Sequence, residues 1–299
     1  MLYKNLSGYF RKNYGRRLGK ICIDGHFSCP NRDGACGVGG CVFCGERGAG
    51  EHIDPTLSIN DQVRSTLLHA SEGEKFVAYF QNFTNTYADV ATLKERYDAA
   101  LIDERIVALA IGTRPDCIDE EKAKLIASYK EKVDVWVELG LQTASDDVAE
   151  VINRGYRTEV FVKACEILKK YGIKTVAHVI VGLPQDDMEG IKKTTELLAR
   201  MPLWGLKIHS IYVMVGTRLA DMYKNGEYTP PTLDYYTDAV LYMISHISPD
   251  VIIHRITGDC PKDMLLAPTW NKNKHNVIDA INKKMKENGL SQGSLYCEP

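Results

Sequence analysis

Hydrophobic positions in the middle of the chain fall into short, nearly uninterrupted β-branched runs. Between them lie stretches where apolar residues recur every three or four positions. The runs at 20–24, 76–80, 106–111, 133–139, 175–181 and 206–213 predict strands; the stretches at 59–71, 90–103, 120–130, 146–152, 158–171 and 188–200 predict helices. Strands apolar on both faces and separated by helices belong to a parallel sheet with a covered outer face. Six such βα units fill about 200 residues and fit a full or partial (βα)6 TIM-like barrel, with a doubly wound sheet as the competitor. Pro230-Pro231 interrupts the pattern, and a helix at 233–246, a strand at 251–256 and a helix at 276–288 predict an α/β extension beyond it. The expected organisation is a basic N-terminal segment (1–19), a barrel core (20–215) and a C-terminal extension packed on the barrel (216–299).

Composition adds little until it is read locally. The 299 residues are 44% hydrophobic and 25% charged, enough for a sizeable core, and the net charge of −2 by itself predicts no polyanion partner. Residues 1–23 nonetheless hold Lys4, Arg11, Lys12, Arg16, Arg17 and Lys20 without an acid, interleaved with Tyr3, Tyr9, Phe10 and Tyr14. Such a mixture can bind phosphates and stacked bases, or be an ordinary solvated face. With Lys272, Lys274, His275, Lys283, Lys284 and Lys286 it is expected to flank the barrel mouth with positive charge. No apolar run approaches the roughly 18 residues of a membrane span, and the first five residues lack the apolar stretch of a signal peptide. A cytoplasmic protein with no membrane partner is expected.

Five of the nine cysteines, Cys22, Cys29, Cys36, Cys41 and Cys44, lie within 23 residues. Cys165, inside a helical pattern, reads as a small buried side chain, as does Cys22 on the first strand. Seven glycines between Gly34 and Gly50 let the cysteine-bearing stretch fold back tightly. Cys29, Cys41 and Cys44 follow C-x11-C-x2-C, a spacing suited to zinc or to an iron–sulfur centre. Three thiolates with no obvious fourth fit a [4Fe–4S] cluster with one iron open to a small molecule.

The stretch Cys29-Pro30-Asn31-Arg32-Asp33-Gly34, followed by Gly39-Gly40-Cys41-Val42-Phe43-Cys44, resembles the loop of radical S-adenosylmethionine enzymes, and within them the YtqA/YhcC group related to the catalytic subunit of Elongator. Gly112-Thr113-Arg114-Pro115-Asp116, Glu138-Leu139-Gly140-Leu141-Gln142-Thr143, Asn153-Arg154-Gly155-Tyr156 and His178-Val179-Ile180-Val181-Gly182-Leu183-Pro184 extend the likeness in order, as do His254-Arg255-Ile256 and Leu265-Leu266-Ala267-Pro268. Cys36 departs from the group's pattern; as a fourth ligand it would close the open iron.

The resemblance implies a partial (βα)6 barrel of radical SAM type that reductively cleaves S-adenosyl-L-methionine at a [4Fe–4S] cluster held by Cys29, Cys41 and Cys44. It implies that Phe43, Gly45 and Glu46 lie at the cofactor's amine, that Arg154 meets its carboxylate and Gln142 the carboxylate or ribose. His178 would face the ribose, and Gly182 and Leu183 the adenine. Glu138, a carboxylate on a strand expected to be buried, is either a salt bridge inside the barrel or part of this site. The implied substrate is the C5 side chain of wobble uridine in tRNA, taken from carboxymethylaminomethyl to aminomethyl, with flavodoxin or ferredoxin as electron donor. Lys207, His209, His254 and Arg255 are the candidates to hold an anionic substituent, and Arg11, Lys12, Arg16 and Arg17 to hold the nucleic acid. Two other classes stay open: a radical SAM enzyme acting on a small molecule or peptide, and a metal or iron–sulfur module without catalysis.

Overall fold

Extended chain turns successive side chains to opposite faces, and every strand of the central sheet uses this to serve two environments. In the computed structural model, which describes residues 2–48 and 53–298, α1 (Leu6–Tyr14) leads into β1 (Gly19–Ile23). Then follow α2 (Ile59–Leu67), β2 (Phe76–Phe80), α3 (Val90–Ala100), β3 (Ile106–Thr113), α4 (Glu120–Ser128), β4 (Asp134–Gln142), α5 (Asp146–Val151) and α6 (Thr158–Lys170). Next come β5 (Lys174–Val181), α7 (Met188–Arg200), β6 (Gly205–Ser210), β7 (Val213–Met214) and α8 (Arg218–Lys224). The chain ends with α9 (Leu233–His246), β8 (Ile252–Arg255), β9 (Leu265–Ala267) and α10 (Lys274–Glu287). Gly50, Met1 and Pro299, which bound stretches named above, lie outside the described residues.

Seven strands make one parallel sheet in the order β1-β2-β3-β4-β5-β6-β8. The order never reverses, which excludes the doubly wound alternative. The sheet is strongly curled: Tyr79 on β2 and Lys207 on β6 are hydrogen-bonded at 2.9 Å, although four strand spacings of roughly 4.8 Å would separate those strands by about 19 Å in a flat sheet. The six predicted βα strands are all present, and the C-terminal extension contributes a seventh, β8. No helix among the described residues is long and apolar enough to cross a membrane.

The outward row (Ile21, Ile23, Phe80, Leu109, Val137, Val179, Ile208) packs against the helices in the main core. The inward row is apolar only near the strand starts, where Val77, Ala108, Ala110, Trp136 and Val176 meet Phe10 of α1. α1 is a helix the sequence pattern did not predict. Asn5 caps it by accepting from Gly8 N, and Gly15 ends it at φ 72°, while its Tyr, Asn and Gly content reads poorly as helix. The predicted strand at 206–213 is two elements. The chain leaves the sheet at Ser210, whose hydroxyl accepts from Gly258 N and donates to Asn271, and Val213–Met214 pairs instead with β9, antiparallel.

Candidate functional site

The loop after β1, at the carboxyl end of the sheet, carries the clustered cysteines. Neighbouring segments clamp it: Asn153 Nδ2 and Arg218 Nη2 both donate to the Gly40 carbonyl at 2.7 Å. Val42 N donates to Ile152 O, and Leu219 N to Val42 O. Arg32 folds back over the last turn, its Nη2 donating to Gly45 O at 2.5 Å and Cys44 O at 3.2 Å, and its Nη1 to Glu46 O at 3.2 Å. Cys29, Cys41 and Cys44 are half-buried. Burial pushes the Cys41 thiol up to about 12, and the charges of Cys44 and Cys29 push the same way. A thiol held up in this way ionises only beside a cationic centre.

Asn31 Nδ2 lies 3.8 Å from Cys41 Sγ, while Asn31 Oδ1 is buried without a partner. Among the described residues no three His, Cys, Asp or Glu side chains converge on a single-ion position. Three thiols on one glycine-rich loop, the ligand number of a cubane with one open iron, fit an iron–sulfur cluster. Cys36 is exposed and accepts from Arg114 Nη2 at 3.4 Å.

Among the described residues, five non-glycine residues adopt left-handed backbone, His26, Phe83, Gln142, Asn153 and Gln185, with φ between 53° and 62°. Gln142 ends β4, and the others lie in segments following β1, β2, β4 or β5, all at this same end. Such backbone is costly and collects where a site is being shaped. Beside Gln142, Tyr156 Oη donates to Gly140 O at 2.7 Å and lies 3.2 Å from Gln142 Oε1. Gly155 adopts left-handed backbone, φ 83°, where any other side chain is strained, and a Cβ there would also press on Asn31 Oδ1 at 3.0 Å.

Arg154 is fully buried and all five of its N–H groups are taken. Nε donates to Tyr156 O, Nη1 to Leu141 O and Thr143 O, and Nη2 to Asp146 Oδ1 and Thr158 Oγ1. The expectation that Arg154 meets a ligand carboxylate is corrected by this geometry: it braces the turn after β4. Arg114, which its sequence motif alone does not mark as a contact residue, ties the cysteine loop to the turn after β4 through Cys36 and Arg154 O. It chelates Asp116 at 2.9 and 2.6 Å, donates to Arg154 O at 2.9 Å and stacks over Tyr156.

Below the loops, the inward row turns polar. Glu138 is buried and accepts from Tyr79 Oη at 2.7 Å, Trp136 Nε1 at 3.0 Å, His178 Nε2 at 2.9 Å and Lys207 Nζ. Burial opposes charge on Glu138, but Lys207 and His178 outweigh it and hold the carboxyl well below its usual range. Glu138 is thus the salt bridge inside the barrel, one of its two expected roles, and through His178 it also orients a ring that faces the site. Burial and the Lys207 charge bring His178 down to about 4, so its ring is neutral and donates to Glu138. Lys207 is engaged by Glu138 and Tyr79, and His254 is sealed edge-on between Trp136 and Trp204. Neither is free to hold a substrate group as expected. A register shift opposite Leu206/Lys207 lets Arg255, as well as His254, turn inward. His209 lies beside His178, ring centroids 5.4 Å apart.

At the end of β5, Gly182 (φ 93°) lies so close to Pro231 and Ile211 that a Cβ would come within 2.8 Å of each. Its carbonyl accepts from Tyr228 Oη at 2.5 Å. Leu183 is buried with Val42, Ile211 and the half-buried Phe43. Gly45 is buried, and Glu46, on the cysteine loop, is exposed. The Gly182–Asp187 turn borders a cavity of about 540 Å³ with Tyr228, Pro231 and Tyr235.

The basic N-terminal segment is at the wrong end for its expected role. Tyr9 Oη donates to Asp134 at the start of β4, Lys174 Nζ at the start of β5 donates to Tyr9 Oη, and Arg16 Nη1 donates to Gly73 O ahead of β2. α1 therefore closes the amino end of the barrel, and the exposed Arg11, Lys12, Arg16 and Arg17 flank that end, not the mouth.

The Radical SAM superfamily model matches residues 34–198, and the Radical_SAM C-terminal domain model matches residues 203–287. The chain is 35% identical over 298 residues to the uncharacterized protein YtqA of Bacillus subtilis, covering 98% of this chain and 92% of that one. It is 31% identical over 199 residues to a tRNA uridine(34) acetyltransferase of Methanocaldococcus jannaschii, covering 65% of this chain and 36% of the relative. The solved structure of Methanocaldococcus infernus Elp3 with an N-terminal deletion shares the fold at a TM-score of 0.69 and 21% identity, covering 92% of this chain and 64% of that one.

Proposed function

The chain belongs to the radical SAM superfamily and is therefore an enzyme working with a [4Fe–4S] cluster and S-adenosylmethionine; from that premise we propose that it acts on the C5 side chain of wobble uridine in tRNA, converting carboxymethylaminomethyl to aminomethyl. The observation carrying this reading is the 31% identity to a tRNA uridine(34) acetyltransferase across 65% of this chain. That relative is far longer than the shared region, so acetyl transfer is not part of the proposal. When bound, the cluster and S-adenosylmethionine supply an electron and a 5′-deoxyadenosyl radical able to abstract hydrogen from a side-chain carbon.

This chain's own residues do the positioning. Cys29, Cys41 and Cys44 hold the cluster, on a loop that Asn153, Arg218 and Arg32 keep in one shape. Phe43, Gly45 and Glu46 would border the cofactor amine, and Gln142 and His178 would line its ribose, with Glu138 fixing the His178 ring. Gly182 and Leu183 would line the adenine, on a turn that Pro231, Ile211 and Tyr228 hold in place. Tyr156 and Arg114 hold Gln142 and the cysteine loop against each other. A flavodoxin or ferredoxin supplies the electrons, and tRNA approaches at the carboxyl end of the strands.

Two measurements test this. Mass spectrometry of nucleosides from total tRNA, with and without the gene, is expected to reveal carboxymethylaminomethyluridine accumulating and aminomethyl products lost in its absence; an unchanged profile sinks the tRNA reading. Cys44→Ala is expected to abolish the visible absorption of the reconstituted cluster and cleavage of S-adenosylmethionine while far-UV circular dichroism stays the same. Cleavage surviving in that variant overturns the ligand set.

A further inference from the structure

The interior of the barrel holds more positive charge than its acids balance. Glu138 is fully engaged by Lys207, His178, Tyr79 and Trp136. Lys20 sits on the inward row of β1, its Nζ 4.6 Å from the centre of the Tyr79 ring that Lys207 also approaches. Arg255 is on β8, at the opposite margin of the curled sheet. Its nearest acid, Asp259, is 3.7 Å away and is held more closely by Lys274, at 2.5 Å. Lys20 and Arg255 are thus two cations without a dedicated counterion, one on each margin of the sheet.

Two further observations point to a ligand. His209, one strand from Arg255, has a buried Nε2 with no hydrogen-bond partner, as do both ring nitrogens of His254, but His254 is enclosed by Trp136 and Trp204 while His209 lies beside the space between the cations; a buried polar atom of this kind calls for a partner. β1 and β8 are not paired with each other; Asn5 borders β8 only at its lower end, opposite Ile253. Lys20 is exposed and Arg255 is 30% exposed, so the space between them is reachable from solvent.

We propose that Lys20, Arg255 and His209 form a carboxylate-binding site beneath the cysteine loop, which holds the anionic end of the substrate. A planar carboxylate matches the guanidinium fork of Arg255, with Lys20 as a point charge and the neutral His209 ring as a third donor. Lys207, committed to Glu138, sets the position of Tyr79 rather than touching the ligand. The inference rests on the proposed function, because it reads the bound anion as the carboxymethyl end of the modified uridine.

The test is ligand-observed NMR on the reconstituted holoenzyme saturated with S-adenosylhomocysteine, so that the cofactor's own carboxylate is in place. The probes are N-methylglycine, its amide and inorganic phosphate. N-methylglycine is expected to bind about ten-fold or more tightly than the amide or phosphate, and Lys20→Met and Arg255→Met each to weaken it by about ten-fold. Arg255→Lys keeps the charge and is expected to recover part of the binding, while the exposed outer-helix variant Lys163→Met leaves it unchanged. Equal binding of acid and amide, preference for phosphate, or indifference to both Met variants overturns the site. Specific N-methylglycine binding with an unchanged tRNA nucleoside profile sinks the tRNA reading and leaves the carboxylate site standing. An altered profile without carboxylate binding does the reverse.

Discussion

Asp186 carries a pH dependence that follows from its surroundings. Burial and the neighbouring Asp187 raise its carboxyl from 3.8 to about 7, against a smaller lowering pull from the Thr143 hydroxyl. The folded chain keeps a proton that the unfolded chain releases, so this group's contribution to stability is complete below the ordinary carboxylate value and is lost as pH rises to about 7. Asp186→Asn is expected to melt near the wild-type temperature at pH 4 and above it at pH 8. Thermal unfolding across that range checks it, and a constant difference would refute it. At this scale the cysteine spacing was legible because ligands must recur at short intervals on one loop. The role of Arg154 was not, because a sequence cannot tell an arginine facing a ligand from one whose donors all meet backbone carbonyls. Those carbonyls, of Leu141, Thr143 and Tyr156, become acceptors only once the turn has formed.

Among the elements, α1 departs most from its reading. Its basic and aromatic residues suggested a nucleic-acid surface, whereas the aromatic half is a plug. Phe10 packs against Trp136 and Tyr9 edge-on against Trp204, with ring centroids 6.4 and 5.1 Å apart. Phe10→Ala is expected to cost about 3 kcal/mol by opening a cavity at the amino end, measured by urea unfolding. A loss below 1 kcal/mol would mean that α1 is not part of the closure. The central strands and helices were legible because their periods of two and 3.6 repeat long enough to be seen. Short pieces such as β7 and β9 form only because a partner strand is supplied from about fifty residues away, and no local pattern announces that.

The two family matches, at 34–198 and 203–287, invite a view of the molecule as two units. The sheet contradicts that division, because β8 pairs directly with β6, and Leu2 and Lys4 bond to Gln292 near the other end of the chain. One cooperative transition is therefore expected. Tryptophan fluorescence, reporting Trp136 and Trp204 at the amino end and Trp270 in the C-terminal part, and far-UV circular dichroism should give coincident denaturation curves. Two separated transitions would restore the two-unit picture.

The sequence alone determined the alternation of strands and helices, and hence a parallel sheet, and it placed three thiols where a glycine-rich loop presents them together. These features are local, carried by period, spacing and residue type. Only the tertiary structure decided which end of the barrel each charge occupies. Curling brings Tyr79, Glu138 and Lys207 from strands 59 and 69 residues apart into one buried network, while α1 carries its cations to the closed end. Charge in a folded chain acts through distance and desolvation, and neither exists until strands remote in sequence have become neighbours in space.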